Sequence, residues 1–341
     1  MGISATAASR TLLWLQAGSC GGCSMAFLDQ DGQSLPQALA DGGLSLLWHP
    51  SLSEQSGAEA VEIFQSILDG RTPLDVLCVE GAILNGPNGT GLFNRLAGTG
   101  RTVRDWVRDL APHARYCVAV GSCAAYGGIP AGDPDPTEAT GLQYEGAVIG
   151  GTLDKTYRSR AGLPVVNVAG CAPHPGWIIE TLTALAQDLI GPLDLDQAGR
   201  PRFFSDHLAH HGCSRNEFYE FKASAETLSD RGCMMEHLGC KGTQAVGDCS
   251  QRSWNGGGSC TKGGFACVAC TAPDFEDIRN FLQTPKVAGI PVGFPLDMPK
   301  AWFLALAALS KSATPKRVRT NAVADHVVVP PQVGRGRDGA E

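Results

Sequence analysis

Thirteen cysteines in 341 residues limit what this chain can fold into. Four of them follow apolar, strand-like segments: a Cys-x-x-Cys pair and one cysteine in each of two later loops. They are Cys20, Cys23, Cys123 and Cys171. Seven more lie between residues 213 and 270. In a chain with this many cysteines, the thiols are expected either to form disulfides or to bind metals.

The amino-terminal residues favour metal ligation over disulfides, and the net charge argues against one class of partner. Residues 1–19 contain one short apolar stretch, with neither a charged leader nor a twin-arginine pair, so we expect no export signal and a cytoplasmic protein. Cysteines in that reducing compartment bind metals more often than they form disulfides. The net charge of −7 gives no general attraction for nucleic acid. No apolar run reaches the length of a transmembrane span.

The first 200 residues alternate apolar strand-like runs with amphipathic helical stretches, which is typical of an α/β domain with a mainly parallel sheet. The predicted strands are residues 12–16, 44–48, 74–79, 116–120 and 165–169. One helix is predicted from Thr102, as its cap, to Leu110, and another after Pro175. We therefore assign residues 1–200 to a flavodoxin-like parallel-sheet domain.

The four strand-end cysteines are expected to meet, because the carboxyl ends of parallel strands share one edge of the sheet. Four thiolates are the number that a 4Fe-4S cluster needs. The Cys-x-x-Cys pair alone is less specific, since zinc sites and redox dithiols share it. Cys78 and Cys117 lie inside strand runs, and we predict a structural role for both.

Residues 201–285 lose regular periodicity and are predicted to form an irregular domain whose order depends on bound metal. Its candidate ligands are His210, Cys213, Cys233, Cys240, Cys249, Cys260, Cys267 and Cys270. His207 and His211 compete with His210. Eight ligands would fill two four-ligand clusters or, equally, two zinc sites. Residues 286–341 are read as a carboxyl-terminal extension that ends in an extended or wrapping tail.

Several spaced motifs resemble those of nickel–iron hydrogenase small subunits, in the order found in that family. They are Trp14-Leu-Gln16 before Cys20-Gly-Gly-Cys23, Val79-Glu-Gly81, Gly121-Ser-Cys123-Ala-Ala-Tyr-Gly-Gly128, Gly170-Cys171-Ala-Pro-His-Pro175, His210-His-Gly-Cys213, Leu238-Gly-Cys240-Lys-Gly242 and Cys267-Val-Ala-Cys270. The resemblance covers residues 11 to about 280.

The resemblance implies three iron–sulfur clusters in a row. Cys20, Cys23, Cys123 and Cys171 match the proximal ligands; His210, Cys213, Cys233 and Cys240 match the distal ligands; Cys249, Cys267 and Cys270 match the medial ligands. It further implies a large-subunit partner that splits hydrogen, a dimer of heterodimers, and electron transfer to an external acceptor. No separate cysteine set remains for nickel. Membrane association would come only through a partner.

The chain departs from the family pattern in three respects. Cys260 stands where many members have proline, so we expect the medial cluster to be 4Fe-4S rather than 3Fe-4S, with an uncoordinated cysteine as the alternative. Gly22 and Gly128 replace the extra cysteines of the six-cysteine proximal site. The interval from Cys233 to Cys240 is one residue longer than usual. Two nearby carboxylates, Asp29 and Glu80, could tune or replace a proximal thiolate.

Two other classes of protein remain open from the sequence. The cluster protein of respiratory complex I shares the resemblance of the first domain, but it lacks a two-cluster segment like residues 205–270. A zinc-structured binding module would explain the later cysteines without any redox role. Iron content distinguishes both iron–sulfur proteins from the zinc module.

Overall fold

The computed structural model describes residues 9–254, 256–276, 283–284, 286–287, 290–291 and 299–331. The chain divides into two compact units. The first comprises Met1–His207, Ser253–Gly257 and Cys270–Arg279, and the second comprises Leu208–Arg252, Gly258–Ala269 and Asn280–Glu341. The domain boundaries expected after residues 200 and 285 stay predictions.

A five-stranded parallel sheet forms the centre of the first unit. Its strands are β1 (Arg10–Gln16), β2 (Leu44–Trp48), β3 (Leu74–Glu80), β4 (Ala114–Val120) and β5 (Val166–Val168). They lie in the order β2-β1-β3-β4-β5, and every neighbouring pair is parallel. This order is that of flavodoxin-like sheets, which confirms the predicted α/β class.

The strands are long apolar runs because helices cover both faces of the sheet. In β4 the last five residues are buried, and β3 shows the same burial. Cys78 and Cys117 are fully buried within these two strands. Their position agrees with the structural role predicted for them.

The described part of the first unit contains seven helices: α1 (Gly22–Leu28), α2 (Leu35–Asp41), α3 (Ala58–Leu68), α4 (Val103–Leu110), α5 (Ser122–Tyr126), α6 (Pro175–Ala186) and α7 (Arg202–Ser205). Helix α4 shows why they form where they do. The Thr102 side chain accepts a hydrogen bond from the Asp105 backbone N–H at 3.0 Å, as predicted. Trp106 on its buried face packs edge-on against Phe64 of α3.

Shorter elements complete the first unit. Ile83–Leu84 pairs with Ala139–Thr140, and Tyr144–Glu145 pairs with Val148–Ile149, both antiparallel. Single 3₁₀ turns occur at Ala111–His113, Ile129–Ala131 and Pro192–Asp194.

The second unit is irregular where the later cysteines lie. After a 3₁₀ turn at Ala209–Gly212 and helix α8 (Asn216–Glu220), the described residues up to 269 form turns, bends and isolated bridges. A short pair, Lys286–Val287 with Ile290–Pro291, precedes helices α9 (Lys300–Ala313) and α10 (Lys316–Ala322). Little regular structure is expected here, since the segment has few apolar residues with which to build a core.

The described part of the carboxyl-terminal extension contains two helices. The last 30 residues are predicted to be an extended or wrapping tail, and their described part includes α10, whose Val318 is fully buried against Phe218 and Ala223. Apolar contact with another part of its own unit stabilises a helix that isolated propensity would not. In α9, Trp302 and Leu309 are 67% and 66% exposed, whereas Phe303 is buried. Within the described part of the chain, the helices are too short or too polar to cross a bilayer.

Candidate metal centres

The loops that follow three parallel strands bring four thiols to one edge of the sheet. Cys20 and Cys23 follow β1, Cys123 follows β4, and Cys171 follows β5. Burial, and then the charges of Glu80 and of the other three thiols, raise the pKa of Cys23. These four sulfurs therefore lie close enough to interact, as the sequence predicted.

The pKa shifts of the other thiols indicate that this group needs a positive charge among its sulfurs. Burial, and then Cys171, raise the pKa of Cys123 to about 12, and burial with Cys20 raises the pKa of Cys171. Deprotonating several of these thiols together is unfavourable unless a positive group lies among them. Bound iron would supply that charge, because a thiol that coordinates a metal ion releases its proton to solvent and binds as the thiolate.

Two glycines leave room around the thiols. Gly121 has φ +90°, and a Cβ built there would lie 2.4 Å from the sulfur of Cys23. Gly128 has φ +56°, and its Cβ would lie 2.8 Å from the sulfur of Cys123. Both the backbone conformation and the space require glycine. The site therefore has the open backbone that lets a bulky inorganic group approach.

Glu80 lies beneath the thiols as a fully buried carboxylate. It accepts hydrogen bonds from Ser19 Oγ at 2.8 Å, from the Cys23 backbone N–H at 3.1 Å and from the indole of Trp14 at 3.1 Å. Burial would raise the pKa of this carboxyl, but hydrogen bonds from Ser24, Ser19 and Gln16 hold it below its ordinary value. Glu80 thus adds a fixed negative charge next to the first four cysteines.

Asp29, the other carboxylate singled out from the sequence, occupies a different position. It caps the end of α1, where its backbone N–H donates to the carbonyl groups of Met25 and Ala26. It is exposed and lines a shallow surface pocket with Met25, Leu28 and Trp254. Its role as a ligand stays a prediction.

A cavity in the second unit collects the next set of predicted ligands. His210, Cys213, Cys233 and Cys240 all line it. Burial raises the pKa of Cys233 to about 12 and also raises that of Cys240. Cys267, which the family pattern assigns to another cluster, lines the same cavity. The structure therefore brings together the three cysteines and the histidine predicted as one set.

Arg215 joins the loops around this cavity. Its guanidinium donates to the carbonyl oxygens of Asp230 at 2.6 Å, Gly232 at 2.8 Å and Thr261 at 3.1 Å. Burial lowers the pKa of Arg215, whereas the charges of Cys213, Cys233 and Cys240 oppose that shift. A cation held beside three thiols offsets part of their negative charge when they are ionised.

The remaining four cysteines are divided between the two units. Cys249, Cys260 and Cys267 belong to the second unit and Cys270 to the first. Cys260 is exposed, and the other three are partly buried. Their grouping as one medial site stays a prediction.

The chemistry of the donors suits iron–sulfur clusters. Cysteine thiolates are the usual ligands of such clusters, and in a four-iron cluster each thiolate binds a different iron. The donor set fits iron–sulfur clusters, which would supply one-electron redox chemistry here.

Two residues that contribute to these sites were missed by sequence reasoning. Arg215 lies two residues after Cys213, and Ser122 lies directly before Cys123. The one feature of the sequence that could have indicated them is a polar side chain close to a predicted ligand. That signal is weak, because polar residues are common in loops.

An α/β sheet edge with four thiols, followed by an irregular cysteine-rich unit, defines an electron-transfer protein of the iron–sulfur class. Residues 20–185 match the family model for the NADH ubiquinone oxidoreductase 20 Kd subunit, and residues 205–283 match the model for the C-terminal part of NiFe/NiFeSe hydrogenase small subunits. The second match separates this chain from the complex I alternative. The chain belongs to the family of nickel–iron hydrogenase small subunits.

Individual relatives agree with this assignment. The F420 non-reducing hydrogenase II small subunit of Methanosarcina mazei is 34% identical over 79% of this chain and 74% of its own length. The periplasmic [NiFeSe] hydrogenase small subunit of Desulfomicrobium baculatum is 33% identical over 79% of this chain and 85% of its own length. The solved actinobacterial-type NiFe-hydrogenase from Ralstonia eutropha H16 superposes with a TM-score of 0.73 at 28% identity, covering 91% of this chain and 93% of that one. The chain is thus an electron-transfer small subunit of a hydrogenase whose active site lies on the large subunit.

Proposed function

We propose that this protein binds three 4Fe-4S clusters and relays electrons from hydrogen, oxidised on the large subunit, to an external acceptor. The observation that carries the proposal is that Cys20, Cys23, Cys123 and Cys171 all follow parallel strands and lie at one edge of the same sheet. Four thiols from three separate loops suit one four-iron cluster. We assign this proximal site to the position nearest the large subunit.

The cavity of the second unit is proposed as the distal site, with His210, Cys213, Cys233 and Cys240 as ligands. All four line one cavity, which supports this set. An imidazole in place of a thiolate raises the potential of such a centre, which suits the exit point of a relay. Arg215 supports it further by holding positive charge next to the thiols.

We propose Cys249, Cys260, Cys267 and Cys270 as the medial ligands. Exposure of Cys260 leaves its thiol accessible for ligation. A fourth thiolate adds negative charge and should lower the medial potential relative to a three-thiolate site. At the proximal site, Glu80 and Asp29 are proposed either to tune the cluster or to replace one thiolate ligand.

Small subunits of this family partner with a large subunit, and we propose that two such heterodimers assemble together. Each unit has exposed apolar side chains that suit contacts with a protein partner: Met25 is 69% exposed in the first unit, and Trp302 is 67% exposed in the second. We also propose a cytoplasmic location, with membrane association only through a partner. A reducing compartment would keep the thiols available as metal ligands.

Anaerobic co-purification with the large subunit tests the function. We expect a brown complex with about twelve irons per small subunit, nickel in the complex, and hydrogen-dependent reduction of a redox dye. A colourless protein that binds two zinc ions would refute the cluster assignment. A complex without nickel would refute hydrogen oxidation even if its iron content were as expected.

A further inference from the structure

One buried hydroxyl connects three cysteine-bearing segments of the first unit. Ser122 is the first residue of α5 and is 1% exposed. Its Oγ accepts a hydrogen bond from the Gly170 backbone N–H at 2.9 Å and donates one to the carbonyl oxygen of Cys270. Its own backbone N–H donates to the Gly170 carbonyl at 3.0 Å.

The hydrogen bonds of Ser122 involve residues that lie next to proposed cluster ligands or are ligands themselves. Ser122 directly precedes Cys123, and Gly170 directly precedes Cys171, so both partners lie next to proposed proximal ligands. Cys270 is a proposed medial ligand. The hydroxyl therefore joins the loops of one proposed cluster to a ligand residue of the next.

We propose that Ser122 is a positioning residue that holds Cys270 against the loops of Cys123 and Cys171 and thereby sets the rate of electron transfer from the proximal to the medial site. This inference rests on the proposed function. Clusters held by Cys123 and Cys171 on one side and by Cys270 on the other would supply one-electron chemistry, so that the first would be oxidised by one electron and the second reduced by one. No bond is made or broken, and the serine proton stays on its oxygen.

Serine suits this position because a hydroxyl donates and accepts at the same time. Alanine would leave the Gly170 N–H and the Cys270 carbonyl without this partner, so both groups would move to find another. Threonine keeps the same two capacities. The rate of electron tunnelling falls steeply with separation, so a small displacement of Cys270 has a measurable effect.

The test uses the intact complex with its large subunit and compares Ser122→Ala with Ser122→Thr. Ser66→Ala is the matched control, because Ser66 is a buried serine of the same unit whose hydroxyl donates to the Ile63 carbonyl at 2.7 Å and lies 2.9 Å from the Thr72 hydroxyl. Iron content, kcat and KM for hydrogen are measured first. The rate of medial-site reduction is then followed after rapid mixing with hydrogen, and electron paramagnetic resonance gives the magnetic coupling between the reduced proximal and medial clusters.

We expect Ser122→Ala to keep its full iron content while medial reduction slows by about tenfold, as geometry-dependent rates do after a small misplacement. Its magnetic coupling should weaken, and kcat should fall while KM for hydrogen stays the same. Ser122→Thr and Ser66→Ala should both match the wild type. Native coupling and a native rate in Ser122→Ala would overturn the inference, as would selective loss of proximal iron, which would show that the hydroxyl holds one cluster rather than couples two.

If Ser122→Ala does not assemble, Ser122→Cys takes its place, since a thiol is a weaker donor and acceptor than a hydroxyl. The inference requires weaker coupling in Ser122→Cys than in Ser122→Thr, and equal coupling would overturn it. The proposed function is tested independently on the wild-type complex, where missing iron or nickel would refute it.

Discussion

The carboxylate of Glu80 accepts a hydrogen bond from the backbone N–H of Cys23 at 3.1 Å, which joins the end of β3 to the first cysteine loop. Ser19 and Ser24 from the same loop also donate to this carboxylate. A buried charge is tolerated in a protein only when several donors surround it. Glu80 therefore orders the Cys20 and Cys23 loop as well as adding charge beside it.

Replacing Glu80 tests this role. Glu80→Gln removes the charge and replaces one accepting oxygen with an amide N–H₂ group, which cannot accept a hydrogen bond. At least one buried donor then loses its acceptor, so we expect a loss of about 1–3 kcal/mol in the free energy of unfolding. The urea midpoint of the purified complex measures this loss. Glu59→Gln, at an exposed position of α3, is the control and should change the free energy by less than about 0.5 kcal/mol. Equal midpoints for the two variants would contradict the ordering role.

Space next to Cys23 is tested at Gly121. A Cβ there would lie 2.4 Å from the cysteine sulfur, so Gly121→Ala should displace the thiol and lower the iron content by about one cluster. Gly70→Ala is the matched control, because Gly70 has φ +72° but no atom within 4 Å of its Cβ position. We expect this control to cost about 1–3 kcal/mol in backbone strain and to retain all its iron. Iron analysis and visible absorbance decide the outcome. Full iron in Gly121→Ala would show that the thiol can move without loss of the cluster.

Arg215 is predicted to hold the second-unit cavity in shape. Arg215→Lys keeps a positive charge but loses the forked donors that reach three carbonyl groups, so we expect a loss of about 1–3 kcal/mol and slower electron delivery to a dye. The urea midpoint and the dye-reduction rate are the measurements. Arg231→Lys changes an exposed arginine nearby in sequence and should have neither effect. Matching behaviour of the two variants would exclude a specific role for Arg215.

Cys260 is predicted to decide the type of the medial cluster. Cys260→Pro introduces the residue that many family members have at this point, and we expect it to lower the iron content by about one atom and to produce a 3Fe-4S signal. Electron paramagnetic resonance of the oxidised complex detects that signal. Cys78→Ala is the control, since Cys78 is buried inside β3 and should bind no iron. An unchanged spectrum in Cys260→Pro would mean that Cys260 is not a ligand.

The local elements could be predicted from the sequence because their causes are local. The β2 strand has the predicted bounds, Leu44–Trp48, and Thr102 caps α4 as expected. Apolar strand-like runs that alternate with amphipathic helical stretches are typical of a parallel sheet, and cysteines directly after its strands are expected at one edge. The four strand-end cysteines could therefore be predicted from residue order, whereas the family was predicted from the resemblance of its motifs.

Only the tertiary structure decided which distant polar groups meet. Ser122 and Cys270 lie 148 positions apart, and no local pattern links a loop serine to a carbonyl that far along the chain. The Arg215 contacts and the burial of Val318 in α10 depend in the same way on packing within their own unit. Sequence periodicity reflects interactions between residues that are close along the chain, and these determine helices and strands. Contacts between distant loops depend instead on the free energy of the whole fold.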